Sequence, residues 1–210
     1  IEEGVLKYVA GVFAGHSPDG QLHLDFAAYD FSHIPIETLS VIYEQFLHAT
    51  PIESGGTAGK QQAAYYTPLP VVNFIIDRME ELQPLRPLMR VLDFSCGSGT
   101  FLVQCYRKLI EDCIYSRSNP VVPRPSELRE LLIDHIYGMD VDGEACRVAE
   151  LALILTLLDY VDPPDLTNTN FKLPCLADRN IVRTNAFDDI HPFVVKAKKD
   201  GFDWIVGNPP

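Results

Sequence analysis

Few folds accommodate the stretch Arg90-Val91-Leu92-Asp93-Phe94-Ser95-Cys96-Gly97-Ser98-Gly99-Thr100-Phe101-Leu102. Val91, Leu92 and Phe94 make an apolar run of the length of a short buried parallel strand. After the carboxylate of Asp93 comes a small-residue turn, where Gly97 and Gly99 allow a tight reversal and the close approach of a ligand. Phe101, Leu102, Cys105, Leu109 and Ile110 then recur on one face of a helix. A strand, a glycine turn and a helix N-terminus predict an α/β fold with a nucleotide-type ligand at the carboxyl edge of a sheet. The turn narrows that ligand. A dinucleotide fingerprint needs a third glycine where Leu102 stands, and no Gly-Lys-Ser/Thr follows as in a P-loop. Asp93 would repel a pyrophosphate and suits a cation.

With 210 residues, 47% of them hydrophobic, the chain can build one domain of ordinary size and a short extension. Residues 1–55 are expected to be a partly helical N-terminal extension, and 56–210 the ligand-binding domain. Cys96, Cys105, Cys113, Cys146 and Cys175 are odd in number and lack a Cys-x-x-Cys pair, which predicts reduced intracellular thiols. The histidines are scattered, so no metal site is expected. No apolar run reaches membrane-spanning length and no signal peptide opens the chain, so a cytoplasmic protein away from the membrane is expected. The net charge of −12 argues against tight DNA binding by these residues alone, although another segment could grip DNA as a substrate. The chain starts at Ile1 without Met and stops at Pro210 just after a strand-like run, as expected for a piece of something larger.

Residues 1–33 carry no functional signal: Tyr8 to Phe13 suit a short helix, and Leu22, Leu24 and Phe26 alternate like a strand. Ile34-Pro35-Ile36-Glu37 opens a helix whose buried face is predicted to be Ile36, Leu39, Tyr43, Phe46 and Leu47, with the proline in its first turn. Ser54 to Lys60 reads as a flexible linker. In Tyr65-Tyr66-Thr67-Pro68, Thr67 is expected to cap a helix and Pro68 to occupy its first position. Ser116 to Pro125 is a polar, Pro-rich insert, followed by a helix over 126–134 opened by Ser126. Ile136 to Asp142 is the second strand. The carboxylate at its end can accept from both hydroxyls of a ribose. Asp142 is expected to cap the periodic helix Glu144–Tyr160, after which 163–179 is loop. Asn180 to Thr184 is the third strand, and Phe202 to Pro210 holds a last strand-like run ending in Asn208-Pro209-Pro210.

Taken together, four segments resemble the N6-adenine DNA methyltransferases of the gamma class, which include type I modification subunits and fused type II enzymes. Tyr-Tyr-Thr-Pro resembles their motif X, Asp-x-x-x-Gly-x-Gly-x-Phe-Leu motif I, Gly-x-Asp-x-Asp motif II, and Phe-Asp-x-Ile-x-Gly-Asn-Pro-Pro motif IV, in that family's order. The Ile-Pro-Ile-Glu helix resembles the one that precedes their catalytic domain. The resemblance implies a Rossmann-like core binding S-adenosylmethionine, with DNA as substrate and restriction or specificity subunits or domains as partners. It implies cofactor contacts from Tyr66, Thr67, Asp93, Ser95, Gly97, Gly99, Phe101, Asp140, Val141, Asn185 and Ala186. Among these, Thr67 would meet the methionine carboxylate, Asp140 the ribose, Val141 the adenine slot and Asn185 the exocyclic amine of the cofactor adenine. Catalysis would fall to Asn208, Pro209 and Pro210, with the aromatic residue of motif IV beyond them.

The chemistry accounts for these residue types. An amine conjugated to an aromatic ring is a poor nucleophile. Two acceptors, the Asn208 side-chain oxygen and the Pro209 carbonyl, would draw its hydrogens and pull the nitrogen toward tetrahedral geometry, with proline fixing the backbone beforehand. A base in a duplex reaches such a pocket only by flipping out. Three other readings stay open at this point: an amino-methyltransferase acting on protein glutamine or RNA, a non-catalytic cofactor-binding module, and an NAD-binding domain, the last weakened by the missing third glycine.

Overall fold

Val91–Asp93 (β1), Ile136–Asp140 (β2), Ile181–Arg183 (β3) and Trp204–Val206 (β4) form a parallel sheet in the order β3-β2-β1-β4. Around it lie Glu37–Ala49 (α1), Leu69–Leu82 (α2), Thr100–Tyr115 (α3), Pro125–His135 (α4), Gly143–Leu158 (α5), Pro163–Leu166 (α6) and Pro192–Asp200 (α7). The computed structural model describes residues 34–49, 67–116, 120–166 and 171–209. Ile36–Pro210 form one compact unit, which thus includes α1. The expectations for residues 1–33, the linker at 54–60, Tyr65-Tyr66, Pro210 and the side chains of Phe46 and Leu47 lie outside the described residues.

The chain winds from β1 through β2 to β3 on one side, then returns to β4 on the other. This is the Rossmann-like α/β arrangement, and it puts a topological switch point between β1 and β4, where open sheets of this kind bind ligands. The strands are short and alternate between two cores. Val91, Ile136, Ile181 and Val206 join the larger core with residues of α2 to α5. Leu92 and Met139 face the other way, onto Val194 and Phe193 of α7. Helix α3 is the most deeply packed: Leu102, Cys105, Tyr106, Leu109 and Ile110 are fully buried. Each large apolar side chain so buried contributes roughly 1.5–3 kcal/mol. Its Tyr106 hydroxyl donates to the Leu128 carbonyl at 2.8 Å, so the one polar atom in that stripe is satisfied.

Buried polar groups set the strand ends. Asn180 Nδ2 donates to the carbonyls of Ile133 (2.9 Å) and Ile136 (2.7 Å), tying the start of β3 to that of β2. The Asp203 carboxylate accepts the Arg90 N–H at 2.7 Å, while the N–H groups of Asp203 and Trp204 donate to the Arg90 carbonyl. The Arg90 guanidinium lies over the rings of Tyr137 and Phe202, 5.0 and 4.6 Å from their centroids, and the two rings meet edge to face.

Several boundaries differ from the sequence expectations. Helix α2 begins at Leu69, with Pro68 at the N-cap position in extended geometry (ψ 138°) and no side-chain cap. The residue before a proline is held extended, so Thr67 lies one place outside the helix and does not cap it. Pro35 likewise precedes α1 rather than entering its first turn. Helix α4 begins at Pro125, and the Glu127 carboxylate rather than Ser126 closes its start by accepting the Arg124 N–H at 2.8 Å. The span 163–179 is not all loop: it contains the one-turn α6 and a bridge between Ala177 and Ile181. Helix α7 was not foreseen. The His191 ring nitrogen accepts the Phe193 N–H at 3.3 Å, Pro192 occupies the first turn, Lys198 and Lys199 stand in the last, and Gly201 (φ +70°) ends it. Of the cysteines, Cys96, Cys105 and Cys146 are buried and Cys175 is exposed.

Candidate active site

The register of the sheet fixes which residues meet at its carboxyl edge. Asp93 is level with Gly138 on β2 and Val206 on β4. Asp140 stands two residues further along, at the end of β2, and Asn208 two residues past Val206, beyond the end of β4, so the two lie on opposite sides of a gap above β1. The turn Ser95–Gly99 rises in that gap. Its Gly97 and Gly99 have φ of +51° and +89°. A Cβ on Gly99 would stand 2.8 Å from the Cβ of Ala149, so this glycine lets the turn pack on α5. Nothing lies within 4 Å of where a Gly97 Cβ would be, and this open space adjoins Asp140.

The Asp140 carboxylate is held from both sides. Oδ1 accepts the Asp142 N–H at 2.9 Å and Oδ2 accepts the Gly97 N–H at 2.8 Å. A carboxylate has about four acceptor positions, so a lone pair remains on each oxygen for two hydroxyls. Asp142 caps α5 as its position predicts, with Oδ1 accepting from the N–H groups of Glu144 (2.9 Å) and Ala145 (3.4 Å). Ser95 Oγ is buried and has no hydrogen-bond partner. Such an orphaned hydroxyl beside an open turn suits a polar ligand atom.

Asp93 is 1% exposed, and its Oδ1 accepts the Ser95 N–H at 3.0 Å. Burial pushes its carboxyl up to about 7; the Ser95 bond opposes this and the charge of Asp140 adds to it. Between its ordinary value of 3.8 and about 7, the unfolded chain has released this proton and the folded chain keeps it. Asp93 therefore favours the folded state fully below that window, and its contribution is lost as pH rises through it. Urea unfolding between pH 4 and 7 is expected to show stability falling with pH, with a shallower slope for Asp93→Asn. An unchanged slope would assign the effect to other groups.

The remaining predicted residues are placed as follows. Thr67 is half-buried just before α2. Phe101 is 4% exposed and lies in the larger core. Val141 is 48% exposed at the end of β2. Asn185 is exposed, and its Oδ1 accepts the Phe187 N–H at 2.9 Å in a local turn. Ala186 packs on the smaller core. Asn208 and Pro209 are exposed just beyond β4, while Tyr66 and Pro210 lie outside the described residues. Sequence reasoning missed Gly207 (φ +138°), where a Cβ would be 2.5 Å from Asp93 Oδ1. It also missed Gly138, where a Cβ would be 2.7 Å from Leu102 Cδ1 and 3.1 Å from Cys96. Glycine immediately before Asn208 was the available signal for the first. A cavity of about 470 Å³ lies elsewhere, lined in part by Arg90, Arg179 and Phe202, which precede β1, β3 and β4. It has none of the strand-end carboxylates, so the chemistry points to the carboxyl edge. Among the described residues no cluster of His, Cys, Asp and Glu could hold a metal ion, and no helix is long and apolar enough to cross a membrane.

Comparison with known proteins gives this edge a family. The chain is 27% identical over 229 residues to the type II restriction enzyme and methyltransferase RM.Eco57I of Escherichia coli, an alignment covering 90% of this chain and 22% of that protein. The chain thus spans about a fifth of that relative's length. Two solved structures share the fold. The ATP-dependent type ISP restriction-modification enzyme LlaBIII bound to DNA aligns over 98% of this chain and 16% of its own, with TM-score 0.58 and 14% identity. The DrdV–DNA complex aligns over 88% and 17%, with TM-score 0.55 and 19% identity. The model of the MmeI DNA-methyltransferase domain matches residues 73–210, and the chain belongs to that family.

Proposed function

We propose that this chain is the cofactor-binding and catalytic core of a restriction-modification enzyme that transfers a methyl group from S-adenosylmethionine to the N6 amine of adenine in DNA. The observation that supports the reading is the sheet order, in which β2, ending in Asp140, and β4, followed in sequence by Asn208, lie on the two sides of β1 and its Asp93 turn. The cofactor, when bound, supplies an electrophilic methyl on a sulfonium. The residues present fit it: Asp140 offers two acceptors to the ribose, the partnerless Ser95 hydroxyl and Asp93 lie under the turn, and Gly97 leaves that turn open. Val141, Asn185 and Ala186 follow β2 and β3, where the family motifs assign the adenine, and the same motifs assign Thr67 to the methionine carboxylate. Tyr66, Phe101, Gly99 and Pro210 are retained as contributors on the strength of the family motifs.

Asn208 and Pro209 present an amide oxygen and a carbonyl on the far side of β1 from Asp140. There they can hold the two hydrogens of a flipped-out adenine amine and shift its lone pair toward attack. The net charge of −12 fits a core that depends on other segments to grip DNA, and we place the enzyme in the cytoplasm alongside restriction or specificity domains. RM.Eco57I, by its name, joins restriction and methyltransferase functions. Calorimetry tests the cofactor assignment: S-adenosylmethionine is expected to bind and NAD is not. Asp140→Ala is expected to weaken binding by roughly 1.5–3 kcal/mol through loss of charged-acceptor hydrogen bonds. Preference for NAD, or an unaffected Asp140→Ala variant, would overturn it.

A further inference from the structure

Helix α1 lies about a hundred residues before β2 in sequence, yet it touches both loops that hold Asp140. The Tyr43 hydroxyl donates to Asp142 Oδ2 at 2.8 Å. Asp142 Oδ1 is meanwhile engaged at the start of α5, and the Asp142 backbone N–H supports Asp140 Oδ1. Ser40 Oγ lies 3.4 Å from the Ser98 carbonyl in the turn that supplies the Gly97 N–H. The helix is fastened in place by buried Glu37, which accepts from Gln104 Nε2 at 2.6 Å and pairs with Arg107 at 3.0 Å.

We propose that α1 is a positioning element of the cofactor site, in which Tyr43 holds Asp142 and, through its backbone, orients the Asp140 carboxylate toward the ribose hydroxyls. This rests on the methyltransferase reading above. The physical argument concerns rotation. With only the α5 N–H groups to satisfy, the Asp142 carboxylate can present either oxygen and rock about its χ angles; a second donor on Oδ2 assigns each oxygen a role. That fixes the loop carrying the Asp142 N–H, and with it one of the two backbone donors that aim Asp140. Burial and the neighbouring carboxylates of Asp142, Glu144 and Asp140 push the Tyr43 phenol well above its ordinary value, so it stays a donor throughout the working range of pH.

The test compares S-adenosylhomocysteine with its 2′-deoxy counterpart by calorimetry on the wild-type chain and on Tyr43→Phe, which keeps the ring and removes the donor. The wild type is expected to prefer the ribose ligand by about tenfold. Tyr43→Phe is expected to bind it roughly five- to tenfold more weakly and to lose most of that preference, since the two deletions act on one hydrogen-bonded chain. A merely structural role would weaken both ligands equally and leave the preference intact, and that result would overturn the proposal. Unchanged affinity in Tyr43→Phe would overturn it as well, with the methyltransferase reading left standing. A wild-type chain that binds neither ligand would overturn that reading itself, and this inference with it.

Discussion

Replacing Asn208 by alanine in the full-length enzyme is expected to cut methyl transfer by about 10²–10³ while leaving S-adenosylmethionine affinity nearly unchanged. Asn208 is exposed past the end of β4, so the truncation opens no cavity and costs the fold little. In the proposed site the cofactor-facing groups would come from the turn after β1 and from the ends of β2 and β3, which lie on the other side of β1 from β4. In the proposed mechanism Asn208 would supply an acceptor for an amine hydrogen that becomes more acidic as the nitrogen attacks. That interaction would be strongest in the transition state, so its loss should appear in kcat rather than in KM for the cofactor. Asn208→Asp keeps an acceptor oxygen and is expected to lose less. Asp140→Ala should behave in the opposite way, acting through cofactor affinity. The product, read by mass spectrometry of digested DNA, should be N6-methyladenine. A normal rate in Asn208→Ala, or methyl groups confined to glutamine or RNA, would reject the assignment.

The parts of this fold legible in the sequence were those set by local chemistry. The run from Val91 through Leu102 announced a strand, a turn and a helix because each step uses residues suited to little else. Asp142 declared itself a helix cap by standing just before a strongly periodic segment. What the sequence concealed depends on pairing between distant segments. Nothing in Tyr43 distinguishes it from the other apolar positions of its helix, and its role is visible only when α5 is packed alongside. Helix α7 was missed because His191, an uncommon cap, opens it and only Val194 along it is fully buried. Thr67 was misplaced by one residue because Thr-Pro suits both a capped helix start and the extended dipeptide that precedes one. The Asp93–Gly207 contact joins residues over a hundred positions apart, and only the β1–β4 register shows that the one must lack a side chain for the other to fit.

That contact carries the second large expectation: Gly207→Ala should destabilise the folded chain by roughly 2–4 kcal/mol. Two costs combine. A φ of +138° is strained for any residue with a Cβ, and the new methyl would stand 2.5 Å from Asp93 Oδ1 and 3.3 Å from Ser95 Oγ. Asp93 cannot swing clear at little cost, because its side chain is short, nearly inaccessible and engaged by the Ser95 N–H. Either that hydrogen bond breaks inside the core or the end of β4 lifts from β1 and carries Asn208 with it. The second response would slow transfer in molecules that remain folded, and a shift of about 1 Å at a reacting group can cost a hundredfold. The double variant Gly207→Ala with Asp93→Ala separates the two costs. Removing the carboxylate removes the collision and leaves the backbone strain, so the pair should be less destabilised than the sum of the single changes, by a coupling of about 1–2 kcal/mol in urea unfolding. Strict additivity, or a Gly207→Ala chain as stable as the wild type, would show that the close approach of Asp93 is not what requires glycine at this position.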